Sequence, residues 1–198
     1  MSGIRVAFFD IGNVLLRFEV RAVLRTISAA GRRHPLRVGR LLWTGGLVDR
    51  IERGQLSSRA LFRIFQKELE FEGDFAAFRK LWCDHFALDR GAAGLLQRVC
   101  ARMPVYLLSN TNRLHFQFIE ENYRFPALVA GAALSYRLGL RKPEAGIYQA
   151  ALAMAKAKPQ EAVFIDDLAE NVRGARRVGM NAMRYQGAAR LEADLKEL

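Results

Sequence analysis

Ile4-Arg5-Val6-Ala7-Phe8-Phe9-Asp10-Ile11-Gly12-Asn13 is the stretch on which the reading of the whole chain turns. A mostly apolar run, with β-branched and aromatic residues in it, ends in an acid and a turn-forming Gly-Asn. A short apolar run closed by turn residues suits a strand covered on both faces, as in a parallel sheet. The pattern returns along the chain. Pro104-Val105-Tyr106-Leu107-Leu108 ends in Ser109-Asn110-Thr111-Asn112, and Ala162-Val163-Phe164-Ile165 ends in Asp166-Asp167. Asn181-Ala182-Met183-Arg184-Tyr185 is a fourth candidate strand. Helical patterns fill the intervals. Arg90 to Arg102 is one, and Pro143 to Ala157 is another, with Pro placed at a first helical position. A third, Leu168 to Val178, stops at Gly179. Strands alternating with helices of about a dozen residues predict an α/β fold on a parallel sheet.

Residues 17 to 87 break that rhythm and read as helical, without a convincing buried strand. Ser57 or Ser58 can cap a helix running to about Glu70, with Leu61, Phe62, Phe65 and Leu69 on one stripe. Asp74 can cap a second, carrying Phe75, Phe78, Leu81, Trp82 and Phe86. Aromatics at helical spacing read as core rather than as ligand contacts. The expected division is an α/β core of residues 1–16 and 88–198, with 17–87 inserted after the first strand.

Composition narrows the function classes. Hydrophobic residues make up 51% of the 198, which excludes a disordered chain. The net charge is +11, carried by 25 Arg and 6 Lys against 20 acidic residues. Such an excess points to a nucleic acid, an anionic membrane or a phosphorylated substrate, or else to a proteome rich in arginine. Residues 17 to 63 hold 11 Arg against 3 acidic residues, so the excess belongs mainly to the insert. Cys83 and Cys100 cannot make a disulfide framework, and neither has a metal ligand at short spacing; both are expected to be buried and inert. Met1 to Asp10 has no secretory pattern, and no apolar run approaches a membrane span. The expectation is a cytoplasmic protein with reduced thiols and no membrane partner. No nucleic-acid-binding motif is visible, which disfavours nucleic acid. The oligomeric state is not readable.

In an open parallel sheet, ligands bind beyond the carboxyl ends of the strands. Asp10, Ser109-Asn110 and Asp166-Asp167 all follow expected strands and would share that edge. Acids from two strands with a hydroxyl and an amide suit a hard cation and a phosphate. Read alone, Ser109-Asn110 also suits a turn and helix N-cap, and Lys142 suits an exposed lysine at a helix start.

Four motifs in order resemble the haloacid dehalogenase-like (HAD) hydrolases. They are Phe8-Phe9-Asp10-Ile11-Gly12-Asn13-Val14-Leu15, Leu107-Leu108-Ser109-Asn110, Lys142 within Gly139-Leu140-Arg141-Lys142-Pro143-Glu144, and Phe164-Ile165-Asp166-Asp167-Leu168-Ala169-Glu170-Asn171. The resemblance implies a Rossmann-like core with an inserted helical cap domain. It implies Asp10 as a nucleophile that forms an aspartyl-phosphate. It also implies Mg2+, held by the carboxylates of Asp10 and Asp167 and the backbone carbonyl of Gly12, with Asp166 supporting from behind or through water. Lys142 would neutralise the phosphate and the crowded carboxylates. Ser109 and Asn110 would bind phosphoryl oxygens, and Asn171 would brace the acidic loop or cap its helix. Arg113 and His115, on the next helix, would either face the cleft as specificity residues or serve at the surface.

Within the family, three regions are similar to bacterial α-D-glucose-1-phosphate phosphatases: Leu108 to His115, Arg141 to Ala145 with Ile147-Tyr148-Gln149, and Glu52-Arg53-Gly54. Phosphatases of the family typically carry a second Asp two residues after the nucleophile, to protonate the leaving oxygen. This chain has Gly12 there. One reading is a leaving group that needs no proton, such as the anomeric oxygen of a sugar 1-phosphate; the glucose-1-phosphate phosphatases share the glycine. A second is a 2-haloacid dehalogenase, and a third is a catalytically weak basic binding protein. The expectation is a Mg-dependent phosphatase of a small phosphorylated metabolite, with sugar 1-phosphate favoured.

Overall fold

The computed structural model describes residues 3–31 and 33–196. The core ends expected at 1–2 and 197–198 lie outside the described residues. The strands are β1 (Val6–Phe9), β2 (Leu16–Arg17), β3 (Ala87–Leu88), β4 (Val105–Ser109), β5 (Gly131–Leu134), β6 (Ala162–Asp166) and β7 (Asn181–Arg184). The helices are α1 (Val20–Ala30), α2 (Pro35–Gly39), α3 (Leu47–Glu52), α4 (Ser58–Leu69), α5 (Phe75–Cys83) and α6 (Arg90–Cys100). They continue with α7 (Arg113–Asn122), α8 (Ser135–Leu138), α9 (Ala145–Ala155), α10 (Ala169–Arg177) and α11 (Ala188–Lys196).

Five strands make one parallel sheet in the order β5-β4-β1-β6-β7. The chain runs outward from β1 through β4 to β5, then returns to the other side of β1 for β6 and β7. The strand order therefore reverses at β1, where a doubly wound sheet opens its crevice. Phe9 pairs with Leu107 on one side and Ile165 on the other, so Asp10 leaves the sheet between the ends of β4 and β6.

The unbroken apolar run of β1 has a direct cause. Alternate side chains point to opposite faces, and both faces are covered. Ala7 and Phe9 pack with Leu95 and Leu96 of α6 and Leu191 of α11. Val6 and Phe8 pack with Ile147 and Tyr148 of α9 and Val172 of α10. β5 was not expected, because Gly131-Ala132-Ala133-Leu134 has no β-branched residue. Its smallness serves packing: a Cβ on Gly131 would come within 3.0 Å of the Tyr106 ring.

Two further expectations need correcting. Pro143 does not open a helix; α9 starts at Ala145 with Glu144 as N-cap, and the Lys142–Pro143 bond is cis. The Asn110 side chain bonds both backbone groups of Lys142, and the Glu144 N–H donates to the Arg141 carbonyl, so 141–144 is a turn and the helix waits until Ala145. The stretch 17–87 also contains strand: β2 and β3 pair antiparallel at its two ends. Asp89 N-caps α6 beside this ribbon, and its N–H donates to the Leu15 carbonyl.

Between the ribbon strands, α1 to α5 gather around their own apolar cluster, including Ile27, Leu42, Phe65, Phe78 and Trp82. Among the described residues, Leu114 of α7 is the buried residue that joins it from outside the insert. Ser57 caps α4 and Asp74 caps α5 through bonds to the third N–H beyond each. Gly179 lies one residue past the α10 cap at φ +88°, a conformation that glycine adopts without strain. Cys83 is buried and Cys100 half-buried, both as free thiols. Among the described residues, no helix is long and apolar enough to cross a membrane.

Candidate active site

Three strand ends and one loop build the site. Asp10 follows β1 and donates its N–H to the Ile165 carbonyl of β6. Its Oδ1 accepts from the Ile11 N–H at 2.7 Å. Lys142 reaches in from the loop before α9 and lies between two carboxylates. Its Nζ is 2.8 Å from Asp10 Oδ1 and 2.6 Å from Asp166 Oδ2. All three residues are buried, so the lysine is not the exposed helix-start residue its local sequence also allowed. Asn110 brackets the Lys142 backbone within its turn, accepting from its N–H at 2.8 Å and donating to its carbonyl at 3.0 Å.

The two acids of Asp166-Asp167 occupy different environments. Asp166 is committed to the protein: Lys142 holds one oxygen, the Asn171 amide bonds both at 3.0 Å, and the Leu168 N–H adds a bond of 2.8 Å. Asp167 is half-buried, and its backbone carbonyl accepts from Arg184. One oxygen from each of Asp10, Asp166 and Asp167 lies within 4.8 Å of the others.

One ammonium thus faces three carboxylates. Burial pushes the Asp10 carboxyl above its ordinary range, Lys142 opposes that, and the Asp166 charge adds to it. Asp167 is raised by burial and then by Asp166. Burial disfavours the charge on Lys142, but Asp10 and Asp166 outweigh it and hold the amine above the usual lysine value. A cluster with surplus negative charge and hard oxygen donors fits a divalent cation such as magnesium. Asp10 and Asp167 have the carboxylate capacity to bind it, since Asp166 is saturated.

The structure places the remaining expected residues as follows. Ser109 is buried at the end of β4, and Gly12 lies in the loop after Asp10; both line a cavity between the insert and the sheet edge. The Asn110 amide is oriented by Lys142, which takes one of its two N–H donors; the other donor and the backbone N–H are left for a phosphate. The helix cap is Asn112, whose Oδ1 accepts from the His115 N–H. His115 lines the cavity but is also engaged. The Asn112 amide donates to Nδ1, which places the ring proton on Nε2, donating to the Trp82 carbonyl at 2.9 Å. The His115 and Trp82 rings stack at 5.2 Å. Burial, then the neighbouring His85, pushes His115 down to about 3, so it is neutral. Arg113 is exposed and belongs to a separate depression beside Arg59 and Arg137.

One constellation was not foreseen. Arg141 is paired with Asp49 at 2.7 Å and with Glu52 at 2.7 Å, and Arg53 with Asp49 and Glu144. It ties α3 of the insert to the loop carrying Lys142. The charges were visible in Glu52-Arg53 and Arg141…Glu144, but pairing across about ninety residues leaves no local signal.

The cavity encloses about 170 Å³. Gly12, Ser109 and Asn110 form its sheet side, and Phe18, Trp43, Trp82 and Phe86 stand among its walls.

Fold and cluster together define a doubly wound α/β protein whose candidate active edge is built of carboxylates around one lysine. Residues 4–179 match the model of the haloacid dehalogenase-like hydrolases, and the chain belongs to that family of hydrolytic enzymes. Over 84 residues it is 38% identical to bifunctional epoxide hydrolase 2 of Rattus norvegicus, a match covering 42% of this chain and 13% of that protein. The chain therefore spans only a small part of the curated relatives it matches. A HAD family enzyme of Bacteroides thetaiotaomicron, solved with magnesium and inorganic phosphate, superposes with a TM-score of 0.84 at 22% identity, covering 93% of this chain and 95% of the other. A 2-haloacid dehalogenase of Pseudomonas syringae superposes with a TM-score of 0.70 at 17% identity, covering 98% and 99%.

Proposed function

We propose that this chain is a magnesium-dependent phosphatase of a small phosphate monoester, acting through an aspartyl-phosphate on Asp10, with residues 17–87 as its cap. The observation that carries this reading is the charge imbalance of the Asp10–Lys142–Asp166–Asp167 cluster. Asp10 and Asp167, with the Gly12 carbonyl, would hold Mg2+. The bound cation supplies positive charge that offsets the carboxylates and the phosphoryl oxygens. The similar Bacteroides enzyme, solved with both magnesium and phosphate, supports the assignment.

The steps assigned to the protein follow from its geometry. The free Asp10 oxygen attacks phosphorus, and the bond from phosphorus to the ester oxygen breaks, leaving with its electron pair. Lys142 neutralises Asp10 in the resting site and the phosphoryl charge during transfer. Ser109 Oγ and the Asn110 N–H bind phosphoryl oxygens. Water then attacks phosphorus, Asp10 returns as a carboxylate, and both water protons leave on the phosphate. Asp166, braced by Asn171, positions Lys142 and touches no reacting atom.

Gly12 offers no acid for the leaving oxygen. That assistance typically contributes about a hundred- to ten-thousand-fold, so the substrate must carry a good leaving group. A sugar 1-phosphate, as for the glucose-1-phosphate phosphatases, meets that condition. Two free thiols are consistent with action in the cytoplasm. Gly12 also favours a second reading, a 2-haloacid dehalogenase, since halide departs without a proton; the carboxylate surplus favours the phosphatase. Phosphate release from a panel of metabolite esters, with and without magnesium, tests the choice. Release that is abolished by EDTA and by Asp10→Asn is expected. Halide release from a 2-haloacid in EDTA, without phosphatase activity, would reverse it.

A further inference from the structure

We infer that the organic part of the substrate is an apolar ring, so that the preferred substrates are small aryl phosphates rather than sugar phosphates. The inference rests on the phosphatase reading and replaces the sugar 1-phosphate named there with another ester whose oxygen leaves readily. Its first basis is the cavity wall. Phe18, Val23, Leu42, Trp43, Trp82 and Phe86 line it, and they come from the insert and its ribbon ends. Trp43 and Val20 also stand at 46% and 41% exposure, so the apolar surface continues outward beyond the enclosed space.

The second basis is what the polar lining already does. The Asn110 amide is bonded to the Lys142 backbone on both sides. Asn112 and His115 bond one another, and the remaining His115 nitrogen is held by the Trp82 carbonyl. Glu52 is paired with Arg141. A sugar entering this space would lose water from several hydroxyls and find most of this lining engaged, the buried Trp82 indole N–H without a partner being one donor against many hydroxyls, which is strongly unfavourable for each hydroxyl left unpaired. An aromatic ring loses little on desolvation and meets aromatic edges and faces.

Gly12 is the third basis and is independent of the other two. An ester oxygen that departs unprotonated must be acidic, and a phenolic oxygen, with a pKa of about 10, meets that requirement. The leaving electron pair stays on the phenolate oxygen, which then takes its proton from water. A substrate that is both apolar and phenolic suits the wall and the missing acid together.

Two arms test this. The first compares kcat/KM for phenyl phosphate, 1-naphthyl phosphate, α-D-glucose 1-phosphate and acetyl phosphate with magnesium present. The aryl esters are expected to exceed the sugar ester by at least about tenfold. The second measures competitive inhibition by phenylphosphonate and methylphosphonate, which separates fit to the cavity from the reactivity of a phenolic ester. The ring should improve inhibition at least about tenfold, and Trp43→Ser, at the exposed rim, should shrink that ratio. Turnover of acetyl phosphate or glucose 1-phosphate without aryl preference, or equal inhibition by the two phosphonates, overturns the inference and leaves the phosphatase reading standing. No cleavage of any ester overturns the phosphatase reading, and this inference with it.

Discussion

Lys142 shows what a single side chain does when its charge is enclosed between two others. The ammonium is almost wholly removed from water, with Asp10 on one side and Asp166 on the other. Replacing such a group exposes neither carboxylate to solvent; it leaves both buried with their repulsion unopposed. Lys142→Met should therefore lose about 3–5 kcal/mol of stability, read from urea unfolding, together with phosphatase turnover. Adding Asp166→Asn should return part of the stability but not the turnover, because the phosphoryl charge would still lack its cation. Stability unchanged in Lys142→Met would show that the carboxylates do not depend on it. None of this was legible locally. The sequence placed Lys142 before a proline and a helix, and that context suits an exposed lysine equally well.

At the scale of the element, the joint between α5 and α7 is the informative one. His115 holds it: one nitrogen accepts from Asn112 of its own turn, the other donates to the Trp82 carbonyl, and the ring stacks on the indole. The imidazole is buried neutral at about 3, and nearby His85 is pushed down to about 4 by burial. Both lie below the ordinary 6.5. The unfolded chain thus takes up these protons first as pH falls. Their contribution to stability is fully present above about 6.5 and is lost as the pH drops toward 3–4. The melting temperature should fall on acidification from neutrality, and His115→Gln, whose amide can still donate to Trp82, should flatten that fall. Equal slopes in the two proteins would remove His115 from the account. The capped helices around this joint were readable, because Ser57, Asp74 and the aromatic stripes are local signals. The α5–α7 contact was not, since a histidine on a helix says nothing of which partner will enclose it.

For the whole molecule, the distribution of charge follows the architecture. The insert carries most of the basic excess, and Arg21, Arg25, Arg37, Arg40, Arg50, Arg59 and Arg63 are exposed on it. Beneath it lies a cluster with surplus negative charge. A basic surface around an enclosed anionic site raises the local concentration of a dianionic ester without contacting it. kcat/KM should therefore fall between low salt and about 0.3 M salt, as the screening length shortens, while kcat holds steady. A flat salt profile would make the arginines a solvated surface only. The magnesium requirement should persist at every salt concentration, because the carboxylate cluster is enclosed and screened little. The ion pairs of Arg141 and Arg53 with Asp49, Glu52 and Glu144 give the insert a fixed seat on the Lys142 loop, and Gly54 marks that seat. At φ +69°, its Cβ would fall 2.3 Å from the Tyr136 carbonyl, so only glycine allows the two parts to approach this closely.

The sequence by itself determined the parallel sheet, the helical insert and the edge on which Asp10, Ser109 and Asp166-Asp167 meet. Strand runs, caps and turn residues are signals over a few positions, and the strand order brings their ends together. β5 escaped because its small residues answer to Tyr106 on the neighbouring strand rather than to any pattern of their own. The motifs already implied Lys142 among the carboxylates and Asp166 behind Asp167; tertiary structure alone decided how fully Lys142 is enclosed, which bonds lock Asp166, and that an apolar cavity lies between insert and sheet. Each of those depends on which distant side chain removes water from which charge or ring, and burial of that kind is a property of packing, not of neighbours along the chain.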